Sequence, residues 1–281
     1  MTQPDSSLEQ TAAELRAAVV RMSHEKHCPH LGSALSCLDI LTALYGGVLR
    51  IDPAKADDPN RDRFILSKGH AAPALYATLH RFGFFRDDVL ARFNEDGAEL
   101  AEQPSPGCVP GMEAATGSLG HGLPIGLGVA LAAKIQQRDY KVFVCLSDGE
   151  CNEGSVWEAA MAAPKMAPGG GGLDNLLAVV DYNKLQATGR SDEILNLPDL
   201  AAKWRAFGWD THEVDGHDLD QLVDVFSSFR DGNTSGQPVA VVAHTVKGKG
   251  VSFMEDDNNW HYRIPKAEEV EAARVELGVS G

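Results

Sequence analysis

Apolar positions along the chain follow two periods. Four short runs rich in β-branched residues, RFILS (63–67), KVFVCLS (141–147), NLLAVVDY (175–182) and PVAVVAHT (238–245), read as strands buried on both faces. Around them TAAELRAAVVRM (11–22), SCLDILTALY (36–45), APALYATLHRF (72–82) and LDQLVDVFSSF (219–229) space their apolar residues as helices do. The alternation predicts an α/β fold, a parallel sheet with helices on both faces. PSPGCVPG (104–111) reads as an extended loop ruled by proline, and GGGG (169–172) as a surface insertion between a helix and a strand. Neither marks a domain boundary, and no internal repeat is present.

In such sheets ligands gather beyond the carboxyl ends of the strands. The four strands are followed by KGH, DGECNEG, NKLQ and VKGKG, so every exit carries glycine or ionisable side chains. Any one of these could be an ordinary turn; all four together point to a site. Asp148 and Asn183 end consecutive strands 35 residues apart, room for a βαβ crossover. Asp148 alone reads equally as a helix cap. Paired with Asn183 it offers hard oxygen ligands of low charge, a set suited to Mg²⁺ completed by a bound diphosphate.

The glycines of GSLGHGLPIGLG (117–128) do not form a dinucleotide fingerprint, because Ile125 and Leu131 stand where the third glycine of GxGxxG would fall, and no GxxxxGK[ST] loop is present. They suit close approach to a ligand or tight helix packing instead.

Composition narrows the function. A chain of 281 residues, 43% apolar, can fill a sizeable core, and its net charge of −15 argues against a nucleic-acid partner. The start of the sequence has no basic-then-apolar leader, and no stretch approaches a membrane span. The odd set Cys28, Cys37, Cys108, Cys145 and Cys151 lacks CxxC spacing, as reduced thiols do, so a cytoplasmic protein is expected.

The ordered series HLGSALS, LSKGHAAPALY, TGSLGHG, SDGExNEGSVWEA, VDYNKLQ and TVKGKG followed by WH resembles the thiamine diphosphate domain of transketolases, in particular the short amino-terminal subunit of the split bacterial form. The likeness runs over about residues 10–265. It implies the thiamine diphosphate-binding fold, with residues 1–281 as one diphosphate-binding (PP-type) domain.

By this resemblance Asp148, Asn183 and the carbonyl of Leu185 would hold Mg²⁺, for which Ca²⁺ or Mn²⁺ could substitute. Gly149 would let the diphosphate approach; His70, Lys247 and His261 would reach it; Ser33, Gly117, Ser118, Leu119 and Glu153 would line the cofactor. His30 and His261 would handle protons on the substrate, which suits imidazoles titrating near neutrality. Glu153 and Glu158 match carboxylates at the contact between active sites. The implied reaction is transfer of a two-carbon glycolaldehyde unit from a ketose or its phosphate to an aldose. The family's activating glutamate belongs to a pyrimidine-binding domain, so a carboxy-terminal partner subunit is expected to supply it, in a two-plus-two heterotetramer that is inactive without the partner.

Several positions depart from the family pattern. Ser147 replaces the first glycine of GDG, Pro29 the glycine before His30, and His121 the glutamine of TGSLGQG. Gln103-Pro104 stands where many transketolases have His-Pro in a substrate loop, and glutamine bonds without taking up a proton, which implies an unusual donor or acceptor. Two rivals share the cofactor or its site: an enzyme component using a 2-oxo acid such as pyruvate, and a non-catalytic cofactor-binding partner. A third, zinc, rests on HEKHCPH (24–30), but Pro29 disfavours helix at Cys28 and no second ligand pair follows. Of its histidines only His30 falls on the family motif, at the start of a loop leading to Ser33.

Overall fold

The computed structural model describes residues 7–280. Five parallel strands form one sheet in the order β1-β2-β3-β5-β4: β1 Arg63–Leu66, β2 Val142–Ser147, β3 Leu176–Tyr182, β4 Asp210–Asp215 and β5 Val239–His244. Four are the expected strands. β4, with sequence DTHEVD, was not anticipated, because it has a single apolar residue, Val214, and pairs only with β5. Such an edge strand needs no apolar run, and its charges discourage pairing with other chains.

The central strands are apolar at almost every position because both faces are covered. Phe143, Cys145, Val179 and Val241 face a core built with α1 (Leu8–Lys26), α2 (Leu31–Ser36), α3 (Leu38–Ala43) and α4 (Ala72–Arg81). Val144, Leu146, Val180 and Val242 face a second core with α6 (Gly122–Ile135), α7 (Gly154–Ala162) and α9 (Leu200–Ala206). The short α5 (Asp87–Ala91) and α8 (Ser191–Ile194) lie in connections, α10 (Leu219–Gly232) joins the first core, and α11 (Ala267–Glu276) packs on α1. Alternation within each strand thus assigns successive side chains to opposite layers.

The expected helix 36–45 is divided: α2 and α3 meet at Cys37, and a π-helical turn, Leu44–Val48, follows. The glycines of the 117–128 stretch do serve close packing. A Cβ on Gly126 would stand 2.4 Å from Val144, and one on Gly122 2.2 Å from the Ser67 hydroxyl. Residues 169–171 of the expected insertion are exposed, whereas Gly172 is buried against Gln237. Among the described residues no helix is long and apolar enough to cross a membrane.

Register brings the strand ends level. Ser147 pairs with Asp181, and Tyr182 with His244, so the exits of β1, β2, β3 and β5 open on one edge of the sheet.

Candidate active site

At that edge lies a cavity of about 290 Å³. His70 enters from the turn after β1, Asp148 and Gly149 from the end of β2, and Asn183 and Leu185 from the turn after β3. His30 and Ser33 come from the start of α2, Gln103, Gly117 and Leu119 from the long connection before α6, and His261 from the turn Asn258–His261. Lys247, after β5, stands behind this wall: its ammonium donates to the Gln186 carbonyl (3.1 Å) and Asn258 Oδ1 (2.8 Å), and lies 3.2 Å from His261 Nδ1. Ser118, Glu153 and Glu158 are solvent-exposed and do not line the cavity. A larger hollow of about 760 Å³ runs beside β4 and α10, away from these exits.

Asp148 is 4% exposed. Its Oδ2 accepts from the Lys184 amide (3.0 Å) and the Ser191 hydroxyl (2.7 Å), while its Oδ1 is buried without a partner. Burial lifts the carboxyl to about 6, against the pull of the Ser191 bond. A buried carboxylate oxygen left unpaired is costly, and a hard cation is the partner that would satisfy it. Asn183 Oδ1, which accepts from the Leu185 amide at 3.1 Å, adds a second oxygen. The donor set fits Mg²⁺ sharing its shell with diphosphate oxygens.

The sign of the pH dependence follows. A carboxyl raised in the folded state stabilises the fold while protonated; that increment is complete below about pH 4 and is lost as pH rises through about 6. A cation bound by Asp148 would have to displace the proton, so if Asp148 holds Mg²⁺ at the diphosphate, thiamine diphosphate affinity in its presence should fall roughly tenfold per unit below about pH 6. Calorimetric titration over that range tests it, and an unchanged profile in Asp148→Asn would remove Asp148 from the cation site.

The histidines form a wall. His30, His70 and His261 have ring centroids 4.9 Å (30–261), 5.4 Å (30–70) and 6.1 Å (70–261) apart. His30 caps α2 in the left-handed region (φ 68°), and its amide donates to the His261 carbonyl at 2.7 Å. It therefore opens a helix that contains Ser33, not the loop expected. The expectation of imidazoles titrating near neutrality is also corrected. Burial lowers His30, with Glu102 opposing and Lys247 assisting; burial and Lys68 hold His70 well down; burial and Lys247 bring His261 to about 3. All three are neutral at pH 7, each offering one donor and one acceptor. His30 Nδ1 is buried without a hydrogen bond, 3.7 Å from the Glu102 carboxylate.

HEKHCPH separates accordingly. His24 Nδ1 lies 2.8 Å from the Pro265 carbonyl and His27 is exposed at the end of α1. Among the described residues no three His, Cys, Asp or Glu side chains gather as a metal-binding group.

Beneath the cavity lies a framework not assigned from sequence. Lys68 and Asp181 form a completely buried ion pair; Lys68 also donates to the Ser33 carbonyl (2.8 Å), and Asp181 accepts from Ser36 (2.6 Å) and Thr245. Burial alone would lower Lys68, but Asp181, Cys37 and Cys145 outweigh it and hold the ammonium above its usual value. Glu150 accepts from the Ser67 hydroxyl (2.5 Å) and the amides of Gly120 (2.8 Å) and Ser147 (3.3 Å), pinning the TGSLG loop to the end of β2. Ser147 fits without a positive φ, and its hydroxyl accepts from the Glu150 amide. The signal was present, since Lys68, Asp181 and Glu150 are charges inside SKGH, VDYNK and SDGE.

A family model described as "Transketolase, thiamine diphosphate binding domain" matches residues 8–281. The chain belongs to this family. It is 42% identical over 271 residues to an apulose-4-phosphate transketolase subunit from Phocaeicola vulgatus, covering 96% of this chain and 94% of that one. It is 37% identical to a 6-deoxy-6-sulfo-D-fructose transketolase subunit from Clostridium sp., with both chains covered completely. The solved transketolase of Leishmania mexicana superposes with a TM-score of 0.89 at 26% identity, over 98% of this chain and 42% of that one. The chain thus spans about two fifths of that solved transketolase. The α/β fold and transketolase resemblance expected from the sequence are borne out.

Proposed function

We propose that this chain is the thiamine diphosphate-binding subunit of a two-subunit transketolase that moves a glycolaldehyde unit from a ketose or ketose phosphate to an aldose. The observation that carries the reading is the cavity itself: Asp148, with one carboxylate oxygen buried without a partner, and three imidazoles line the same space. End-to-end similarity to proteins named as transketolase subunits supports the division between two chains.

When bound, the cofactor supplies the nucleophilic carbon and the electron sink of the reaction. Asp148, Asn183 and the Leu185 carbonyl would hold Mg²⁺ at its diphosphate. Lys247, lowered to about 8 chiefly by burial, is still mostly protonated at pH 7 and would neutralise that anion. His70 would hydrogen-bond it as a neutral donor, and Gly149, Ser33, Gly117 and Leu119 would shape the wall. Ser118 and Glu153, exposed here, would meet cofactor only where the partner closes over them, and Glu158 would lie in the same contact. His30 and His261 would hydrogen-bond the substrate's reacting oxygens as neutral imidazoles, and the Gln103 amide would bond a substrate hydroxyl.

Residues 1–281 would form one domain, with the pyrimidine-side glutamate on the partner and two copies of each chain in the assembly. Co-expression with the product of the adjacent gene tests this. We expect no two-carbon transfer from this chain alone, and transfer dependent on thiamine diphosphate and Mg²⁺ once the partner is present. Turnover by the isolated chain, or pyruvate decarboxylation by the pair, would overturn it.

A further inference from the structure

The loop 245–250 carries Lys247 and is bonded from outside the cavity by two side chains, His217 and Arg16, that share one carboxylate. The Val246 amide donates to His217 Nε2 at 2.8 Å. Because Nε2 accepts, the proton of the neutral ring sits on Nδ1, which lies 2.7 Å from Asp39 Oδ2 and donates to it. Asp39, on α3, also receives Arg16 of α1, whose Nε donates to the Lys249 carbonyl at 3.0 Å. Two backbone groups flanking Lys247 are therefore fixed by one buried carboxylate acting through two different side chains.

The local sequence is shaped to this clamp. A Cβ on Gly250 (φ 93°) would stand 2.6 Å from Arg16 Cδ, and one on Gly216, beside His217, 2.4 Å from Thr245 Cγ2. Burial would raise the Asp39 carboxyl, but the His217 hydrogen bond and the Arg16 charge prevail and hold it below its usual range, so it stays ionised.

We infer that Arg16, Asp39 and His217 are positioning residues that fix the backbone on both sides of Lys247 and so set where its ammonium meets the cofactor diphosphate. None of them lines the cavity. The inference rests on the assignment of Lys247 to the diphosphate.

The test is a double-mutant cycle on the chain co-expressed with its partner subunit, with Mg²⁺-thiamine diphosphate binding read by calorimetry. His217→Phe fills the ring's space and removes the acceptor. It is expected to weaken binding about tenfold, the effect of roughly one lost hydrogen bond at the Val246 amide, and to speed hydrogen exchange of residues 245–250 in the cofactor-free chain. In a Lys247→Ala background the same change should cost nothing further. His217→Gln, whose amide oxygen can accept from Val246, should bind within about twofold of wild type by the same reckoning, which keeps the test decisive if the phenylalanine variant folds poorly. Equal loss in both backgrounds, or unaltered exchange, would overturn the clamp. Failure of the unmodified pair to bind, or full affinity in Lys247→Ala, would instead overturn the cofactor assignment on which it rests.

Discussion

Lys68→Met is expected to lose about 3–5 kcal/mol of unfolding free energy at pH 7, the largest stability effect of any single change at this site. The variant keeps Asp181 at full burial among Ser36, Thr245 and Asn183 with its counter-charge gone. In the native protein burial would raise the Asp181 carboxyl, but Lys68 first and then its hydrogen bonds hold it low. Without Lys68 it should rise, so the deficit should shrink as pH falls and the carboxyl takes up a proton. Urea unfolding at about pH 5 and 7 reads both, and a loss below about 1 kcal/mol at pH 7, within the ordinary range of exposed pairs, would show that the pair carries little. Lys68→Met combined with Asp181→Leu should recover much of the stability, because two apolar groups can replace a buried pair. It should not recover cofactor binding, since the Ser33 carbonyl and Asn183 would lose their anchors.

Asp148→Ala is expected to reduce Mg²⁺-dependent thiamine diphosphate affinity by at least about a hundredfold, on the order of the loss of a charged metal ligand. Stability of the cofactor-free chain should change far less than affinity, because two effects oppose each other. At pH 7 the native carboxylate is charged above its value of about 6 with one oxygen unpaired, a cost that alanine removes, while the Lys184 amide and the Ser191 hydroxyl lose their acceptor. A more stable but empty protein would mark Asp148 as a residue kept for binding at the expense of the fold. Wild-type affinity in the variant, measured by calorimetry with and without Mg²⁺, would sink the assignment.

Much of this was legible in the sequence. The central strands announce themselves because burial on both faces demands continuous apolar runs, and their exits carry His70, Asp148 and Asn183 directly into the cavity. β4 was hidden because an edge strand is held by its pairing to β5 and needs no apolar run. The position of Lys247 behind His261 was hidden too, because spacing reports which residues share a motif and not which stands in front. The protonation states could not be read at all: the three histidines are lowered first by burial and then by charges such as Lys68 and Lys247, and neither is visible from the spacing of the motifs. Lys68, Asp181 and Glu150 lay in full view inside the motifs. Their role shows only in what they touch, since a charge in a turn reads as solvated until burial proves otherwise.

The bond from the His30 amide to the His261 carbonyl joins residues separated by most of the chain. Its consequence concerns synthesis. A nascent polypeptide that has not yet released residue 261 has the sheet exits but neither this bond nor the His261 wall, and contacts between distant segments form late. The His261 side of the cavity is therefore completed only after residue 261 has emerged, later than every strand of the described sheet.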